Sequence, residues 1–507
     1  MTIWVDVDDL ISYFYAGNRP SGIQRLSFDL TCALIESSNG PVRACRHGRG
    51  DSGFTEVDWR DCCARLRDTM SEAKAVSTDE VGGLQPVETS NDVSPLRRTL
   101  RGLPLDLRAP LATILIAERN AGQALRHAAI AQIHAARALR DFIINYWHRV
   151  RPPPKRRVEA SIDRGTHFVP EYVLVPEVVV DQPVRFVAGD VLISTGATWQ
   201  YPSYSTKIDR IRAMGVRFAP FAHDMVPLLF PEWSVRTTTD AFDIWAREVL
   251  TRADILFTNS NATARDVARY ARHNRIVIPP AIKVPMGASF PHRADPSAPR
   301  LHDRPFVLVV STIEPRKNHA GMLRLWRRII QALPENQVPD LVFAGRVGWL
   351  AHDVVAQAEN ADWFGGKLHL IQGPSDTDLA TLYRDCLFTI YPSFYEGWGL
   401  PVTESLSFGK PVAASNRASI PEAGGAFCVY FDPDDLNDAF RVIAQLILAP
   451  ERVAALEQKI ALEFRPPSWA DSAAAIIAAI DAAHGALPGP DGAEVGAVTL
   501  PRAGWRN

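Results

Sequence analysis

Residues 387–415 read LFTIYPSFYEGWGLPVTESLSFGKPVAAS. LFTIYP (387–392) is short, apolar and rich in β-branched and aromatic side chains, the pattern of a strand buried on both faces. A loop follows with Glu396, Gly397, Trp398 and Gly399. Pro401 suits the first turn of a helix, where its missing N–H has no partner to lose. Glu404 is expected in that first turn, the helix is expected to end near Gly409, and PVAAS (411–415) opens the next strand. Strand, helix, strand at this spacing is the repeating unit of a parallel sheet.

The same unit recurs on both sides of this stretch. FVLVVS (306–311), DLVFAG (340–345), LHLIQ (368–372) and FCVYF (427–431) match it in length and composition. Helical patterns such as MLRLWRRIIQAL (322–333) and TDLATLYRDC (377–386) fill the gaps. Upstream, VLIST (191–195), VRFAPF (216–221), ADILFTN (253–259) and RIVIP (275–279) repeat the alternation, and a strand over Ile3 to Val7 joins them. The expected fold class is therefore α/β, with two Rossmann-like, doubly wound domains facing across a cleft, over 1–290 and 300–485. SFPHRADPSAPRLHDRP (289–305) holds four prolines and little apolar content, which suits an interdomain linker. Residues 48–183 break the pattern with a Ser/Asp-rich loop and long helical stretches, an expected helical insertion in the first domain. Residues 486–507 form a tail.

A chain of 507 residues, 47% apolar and 22% charged, has an ordinary globular composition. It can bury large cores without a metal or disulfide staple. A formal net charge of −2 supplies no electrostatic signature for nucleic acid, and no such partner is expected. The six cysteines show no C-x-x-C spacing and no disulfide framework, which fits a reducing compartment. The opening residues MTIWVDVDDL lack a basic region followed by an apolar stretch, and no run of about 18 uncharged apolar residues occurs. The expected location is the cytoplasm.

Ligands of open α/β sheets bind outside the carboxyl ends of the strands. Gly397 and Gly399 let backbone amides approach a ligand closely, and the helix N-terminus beyond them favours an anion such as a diphosphate. Glu396 and Glu404, eight apart, can accept hydrogen bonds from the paired hydroxyls of a hexose or ribose. STIEPRKN (311–318) places Arg316 and Lys317 at the same sheet edge, where a lysine offers a point charge to a diphosphate. AGRVGW (344–349) carries Arg346 between glycines after the next strand. In QGPSDTDLATLY (372–383), Ser375 or Asp376 can cap the next helix. VDVDD (5–9) contains D-x-D, a metal-binding pattern elsewhere, but here it ends the first strand and suits a turn cap, so no metal is expected there.

The segments STIEPRKN, YEGWGLPVTESLSFGKPVAAS and SIPEAGGAFCVYFDPDD (419–435) resemble the retaining glycosyltransferases of family 4, which have the GT-B fold and an E-x7-E motif. The resemblance is strong over 300–475, patchier over 1–30 and 184–290, and absent over 48–183. It implies that Glu404 binds the donor ribose, and that Glu396, with the amides of Gly397, Trp398, Gly399 and Leu400, holds the sugar. It implies that Lys317 binds the diphosphate. Many members carry a further arginine several residues earlier; Ser311-Thr312-Ile313 stands there in this chain, and Arg316 or Arg346 is the substitute. His223, in FAHDMVPLLFPEW (221–233), matches a histidine near the donor sugar, and Gly22 and Arg25, in NRPSGIQR (18–25), match a loop on the acceptor and phosphate side.

The resemblance further implies retention by front-face attack with no bound metal or cofactor, a nucleotide-sugar donor with GDP-mannose the first choice, and a glycan or polyprenyl-linked acceptor. It is similar to the mannosyl- and rhamnosyltransferases of polysaccharide assembly. Another GT-B enzyme, an epimerase or a phosphorylase, and an inactive scaffold are the alternatives. A dehydrogenase is disfavoured because no G-x-G-x-x-G follows the first strand.

Residues 97–157 hold thirteen basic and three acidic residues. If 111–149 are helical, Arg119, Arg126, Arg137 and Arg140 share one side. The segment is expected to be either a solvated helical face or a contact with an anionic membrane surface, each basic residue contributing about 1 kcal/mol near such a surface.

Overall fold

The computed structural model describes residues 1–15, 22–37, 41–48, 53–71, 182–201, 203–288 and 296–485. The basic segment 97–157, most of the expected insertion, much of the linker and the tail lie outside them.

Two sheets form, and the α/β class expected from the sequence is observed. In the first, β1 (Ile3–Asp6), β2 (Val42–Arg46), β3 (Thr55–Val57), β4 (Val191–Ser194), β5 (Arg217–Ala222), β6 (Leu256–Thr258) and β7 (Ala281–Lys283) run in the order β3-β2-β1-β4-β5-β6-β7. All neighbours pair in parallel except β2 and β3. In the second, β8 (Phe306–Val310), β9 (Asp340–Gly345), β10 (Leu368–Gln372), β11 (Thr389–Tyr391), β12 (Val412–Ser415) and β13 (Cys428–Phe431) run β10-β9-β8-β11-β12-β13, all parallel. Strand order therefore reverses at β1/β4 and at β8/β11, and each reversal opens a crevice at the carboxyl edge of its sheet.

The strands read as continuous apolar runs because helices cover both faces. Val5, Val191 and Ile193 of the first sheet are fully buried, as are Leu308, Val342 and Val412 of the second. The helices are fixed locally by side-chain caps, of which the sequence suggests the one at Ser375 or Asp376. Ser375 forms a capping box with Asp378 at the start of the Asp376–Asp385 helix. Asn318 caps the His319–Ala332 helix and Ser260 the Asn261–Asn274 helix. The last described helix, Trp469–Gly485, returns to the first domain. Its Trp469, Ala473, Ile476 and Ile480 join the core around Val5, Leu30 and Ile193.

Three expectations need correction. RIVIP (275–279) is not a strand; the edge strand is β7, at Ala281–Lys283. Arg275 ends the preceding helix in the left-handed conformation, and Pro279-Pro280 supply no N–H to a ladder, so pairing begins after them. The insertion does not begin at residue 48. β3 pairs with β2, and Trp59, Cys62, Cys63 and Leu66 of the Trp59–Ser71 helix are buried in the first core. Glu404 lies one turn into its helix rather than in the first turn, because Gly399 in the left-handed region ends the loop and the helix starts at Leu400.

Candidate functional site

The β8/β11 crevice is lined by the residues singled out after those two strands. After β8 the chain makes a short turn over Pro315–Lys317, and Asn318 leaves it with φ 59°. The Asn318 side chain donates to the Pro392 carbonyl at 3.3 Å, tying this turn to the end of β11. Glu396, 6% exposed, sits between the two cations that the turn presents. Lys317 Nζ donates to Glu396 Oε1 at 2.6 Å, and Arg316 pairs with the other carboxylate oxygen. Arg316 also donates to Glu314 Oε1 at 2.7 Å and to the Tyr395 carbonyl at 3.0 Å. The guanidinium expected to help bind donor phosphate thus also contacts Glu396.

The electrostatics follow from this crowding. Burial works against ionisation of Glu396, but Arg316 and Lys317 outweigh it and hold its pKa at about 2. Burial and the Arg316 charge push the Lys317 ammonium below its ordinary value, while Glu396 opposes them. Burial and the Lys317 charge drive His319 down to about 3, so its imidazole is neutral. The site keeps a fixed carboxylate and two cations largely buried, where charges interact far more strongly than in water.

Glu404 faces the same crevice one helix further on. The Tyr383 hydroxyl donates to Glu404 Oε2 at 2.9 Å. Arg25, from the Gly22–Ser37 helix of the first domain, lies 3.5 Å from Glu404 Oε1 and pairs with Asp376. Burial raises the Glu404 carboxyl above its ordinary value, although Arg25 and Tyr383 favour its charge. Arg25 therefore meets Asp376 and Glu404 of the second domain. At Gly22, the start of that helix, no described residue lies within 4 Å of where a Cβ would stand.

His223 follows β5 and is buried. Its Nε2 donates to the Thr195 carbonyl at 2.7 Å, which places the proton on Nε2 and leaves Nδ1 an acceptor in the neutral ring. Burial lowers its pKa, so that neutral form prevails. The His223 carbonyl accepts from Asn259 Nδ2 at 2.7 Å and stands directly against Gly397. Gly399 has φ 116° and so requires glycine, and its carbonyl accepts the amide of Val402 at 3.0 Å. Ser419 Oγ lies 2.8 Å from the Glu396 carbonyl and 2.9 Å from the Trp398 carbonyl, and its one proton is shared between these two acceptors of the loop. Arg346 donates to the Tyr13 hydroxyl of the first domain at 2.8 Å.

Glu396, Lys317, Arg316, Gly397 and Gly399 are thus brought together with His223, and Glu404 with Arg25; Arg346 reaches the first domain separately. Sequence reasoning missed Tyr383, Ser419, Asn259, Thr263 and Glu422. Of these, Ser419 and Glu422 lie within SIPEAGG, whose polar residues between β12 and β13 were the available signal.

Two other carboxylate clusters have different characters. Asp6, Asp8 and Asp9 at the end of β1 are engaged by protein groups. His47 Nδ1 (2.9 Å) and the Tyr204 hydroxyl (2.9 Å) contact Asp6, Arg46 contacts Asp8 (3.0 Å), and the Ala197 amide donates to Asp9 (3.0 Å). Asp6 Oδ1 also accepts the Asp8 amide at 3.2 Å, the turn cap expected there. His302, Asp340 and His369 converge closely enough to ligate a metal. Arg304 lies 2.8 Å and Lys367 3.7 Å from the same carboxylate, so two cations already neutralise it. It staples the amino ends of β8, β9 and β10, the edge opposite the crevice.

Residues 293–461 match the family model described as "Glycosyl transferases group 1". The "Serotype-specific mannosyltransferase WbdA" of Escherichia coli is 29% identical over 293 residues, covering 54% of this chain and 35% of that protein. The "O-antigen chain mannosyltransferase B" of Escherichia coli is 36% identical over 132 residues, covering 26% of this chain and 34% of that protein. The chain spans about a third of the length of these curated relatives. Among solved structures, an α,α-trehalose-phosphate synthase (UDP-forming) from Burkholderia xenovorans aligns with a TM-score of 0.46 at 14% identity, over 59% of this chain and 74% of that one. The segment that carries Arg316, Lys317, Arg346, Glu396 and Glu404 is thus similar to the glycosyl transferases of group 1.

Proposed function

We propose that this chain is a glycosyltransferase of polysaccharide assembly that moves mannose from GDP-mannose to a glycan or lipid-linked acceptor, with retention at the anomeric carbon and without a bound metal. The observation that carries this reading is the setting of Glu396. It is a buried, permanently ionised carboxylate between Lys317 and Arg316, at the strand-order reversal of a nucleotide-binding type of sheet and opposite a neutral His223. The similarity to group 1 glycosyl transferases covers the same segment, and two relatives are described as mannosyltransferases. In this reading Glu404 accepts the ribose hydroxyls, and Lys317 neutralises the departing diphosphate. Glu396 and the amides after it hold the sugar, and the departing phosphate takes the proton of the attacking hydroxyl.

The test is a panel of GDP-, UDP-, dTDP- and ADP-sugars, with nucleotide release measured in the presence of glycan and lipid-linked acceptors. The expected result is release from GDP-mannose, reduced about 100- to 1000-fold in Glu396→Gln and in Lys317→Ala with the fold retained in both. Release from none of the donors, or turnover near wild type in both variants, overturns the reading.

A further inference from the structure

Glu422 stands outside the crevice yet bridges the two domains at a defined place. It lies in the short Ile420–Gly424 helix of the second domain, three residues after Ser419. Its two carboxylate oxygens accept the amides of Asn261 and Ala262, each at 2.9 Å, at the start of the Asn261–Asn274 helix of the first domain. Lys283, on β7, donates to the same carboxylate at 2.9 Å and lies 5.7 Å from the centroid of the Trp398 ring. The first amides of a helix have no partner within it and carry a partial positive charge, so a carboxylate there is both hydrogen-bonded and favourably placed. The resulting pull is visible in Glu422 itself. Burial opposes its ionisation, but Lys283 and the two amides hold its pKa below the ordinary value.

Both ends of this bridge lead into the site. On the first-domain side, the same helix entry carries Asn259, which donates to the His223 carbonyl, and Thr263, whose hydroxyl lies 3.2 Å from that carbonyl and 3.4 Å from the Gly397 carbonyl. On the second-domain side, Ser419 holds the carbonyls of Glu396 and Trp398. We infer that Glu422 is a positioning residue for transfer, its carboxylate keeping the His223 strand end in register with the loop that carries Glu396. This inference rests on the glycosyltransferase reading for its kinetic consequence and on the contacts alone for its structural one. A misplacement of about 1 Å at a reacting centre is enough to cost about 100-fold in rate.

The full chain is compared with Glu422→Ala and Glu422→Gln by thermal melt, amide hydrogen exchange and steady-state kinetics on GDP-mannose. The expected result for Glu422→Ala is faster exchange in peptides over both 259–264 and 393–400, and a kcat lower by about 10- to 100-fold with an unchanged donor KM. Glu422→Gln falls between the two. Added acetate, which fits the vacated helix start beside Lys283, restores part of the kcat and slows exchange again in Glu422→Ala. Faster exchange over 259–264 alone, with kcat unchanged, reduces Glu422 to a helix cap and overturns the inference, as does no change in either peptide. If Glu422→Ala fails to fold, Glu422→Gln carries the same comparison. If the wild type releases nucleotide from no donor, the functional reading falls by itself. Exchange over 393–400 still decides whether Glu422 couples the two strand ends.

Discussion

The α-carbon of Gly397 lies against the carbonyl oxygen of His223, so close that a Cβ at position 397 would stand 1.9 Å from that oxygen. The glycine expected to admit a ligand to the backbone is instead required by the other domain. It lets the loop of one half meet the strand end of the other, and through that contact the positions of Glu396 and His223 depend on each other.

Gly397→Ala must therefore separate the two strand ends, since the obstructing atom is backbone and cannot turn away. The expected outcome is a loss of about 1–3 kcal/mol in stability, with nucleotide release reduced at least as strongly as in Glu396→Gln. Gly53→Ala is the control, because none of the described residues lies within 4 Å of a Cβ there. Urea melts and donor turnover of the two variants check it. Equal behaviour of the two would show that the contact is dispensable.

Arg25 is the cation shared by Asp376 and Glu404, and its side chain is 13% exposed. Arg25→Met leaves both carboxylates buried beside Asp29 with that charge removed. Removing one partner of a buried ion pair costs about 3–5 kcal/mol. A melt shifted by much less would mean that water or another residue takes over the pairing.

The pH dependence of stability separates Asp29 from Glu396. Burial, with Asp376 and Glu404 nearby, raises Asp29 to about 7, against an ordinary value of 3.8. The native state thus favours its neutral form, and its contribution is fully present below about pH 3.8 and is lost as pH rises through about 7. Asp29→Asn is expected to melt above wild type at pH 8, with the gain vanishing near pH 4. Glu396 is shifted the other way, from 4.5 to about 2, so its contribution is present above pH 4.5 and is lost as pH falls through about 2. The deficit of Glu396→Gln is then largest at neutral pH and shrinks in acid. Calorimetry from pH 2 to 9 on the three proteins reads both trends.

A chelator should leave donor turnover unchanged. Arg316 and Lys317 supply positive charge at the expected diphosphate position, and Asp6, Asp8 and Asp9 of the D-x-D pattern are held by His47, Tyr204, Arg46 and the Ala197 amide. Turnover in EDTA against turnover in Mg²⁺ or Mn²⁺ checks this. Activity lost in EDTA and restored by either ion would assign these aspartates a metal.

Local pattern in the chain was enough for the two α/β domains, most of the strands and the cap at Ser375. Each of these rests on hydrophobic periodicity or on a side chain that bonds a backbone group three residues away. Lys317 and Glu396 were legible for a related reason: both follow buried strands, and a strand's carboxyl end delivers its next residues to one edge of the sheet. The partnerships between the halves were not legible. Arg25 and Glu404 are 379 residues apart and Asn261 and Glu422 are 161 apart, and a pattern read along the chain carries no distance between such positions. The end of RIVIP as a strand turned on a proline pair and a left-handed helix end, and the inclusion of 53–71 in the first domain on a pairing with β2. Packing of the two domains decided which charge Asp376 and Glu404 meet and made the bridge at Glu422, while the ionised state of Glu396 came from the turn after β8 meeting the loop after β11 within the second domain.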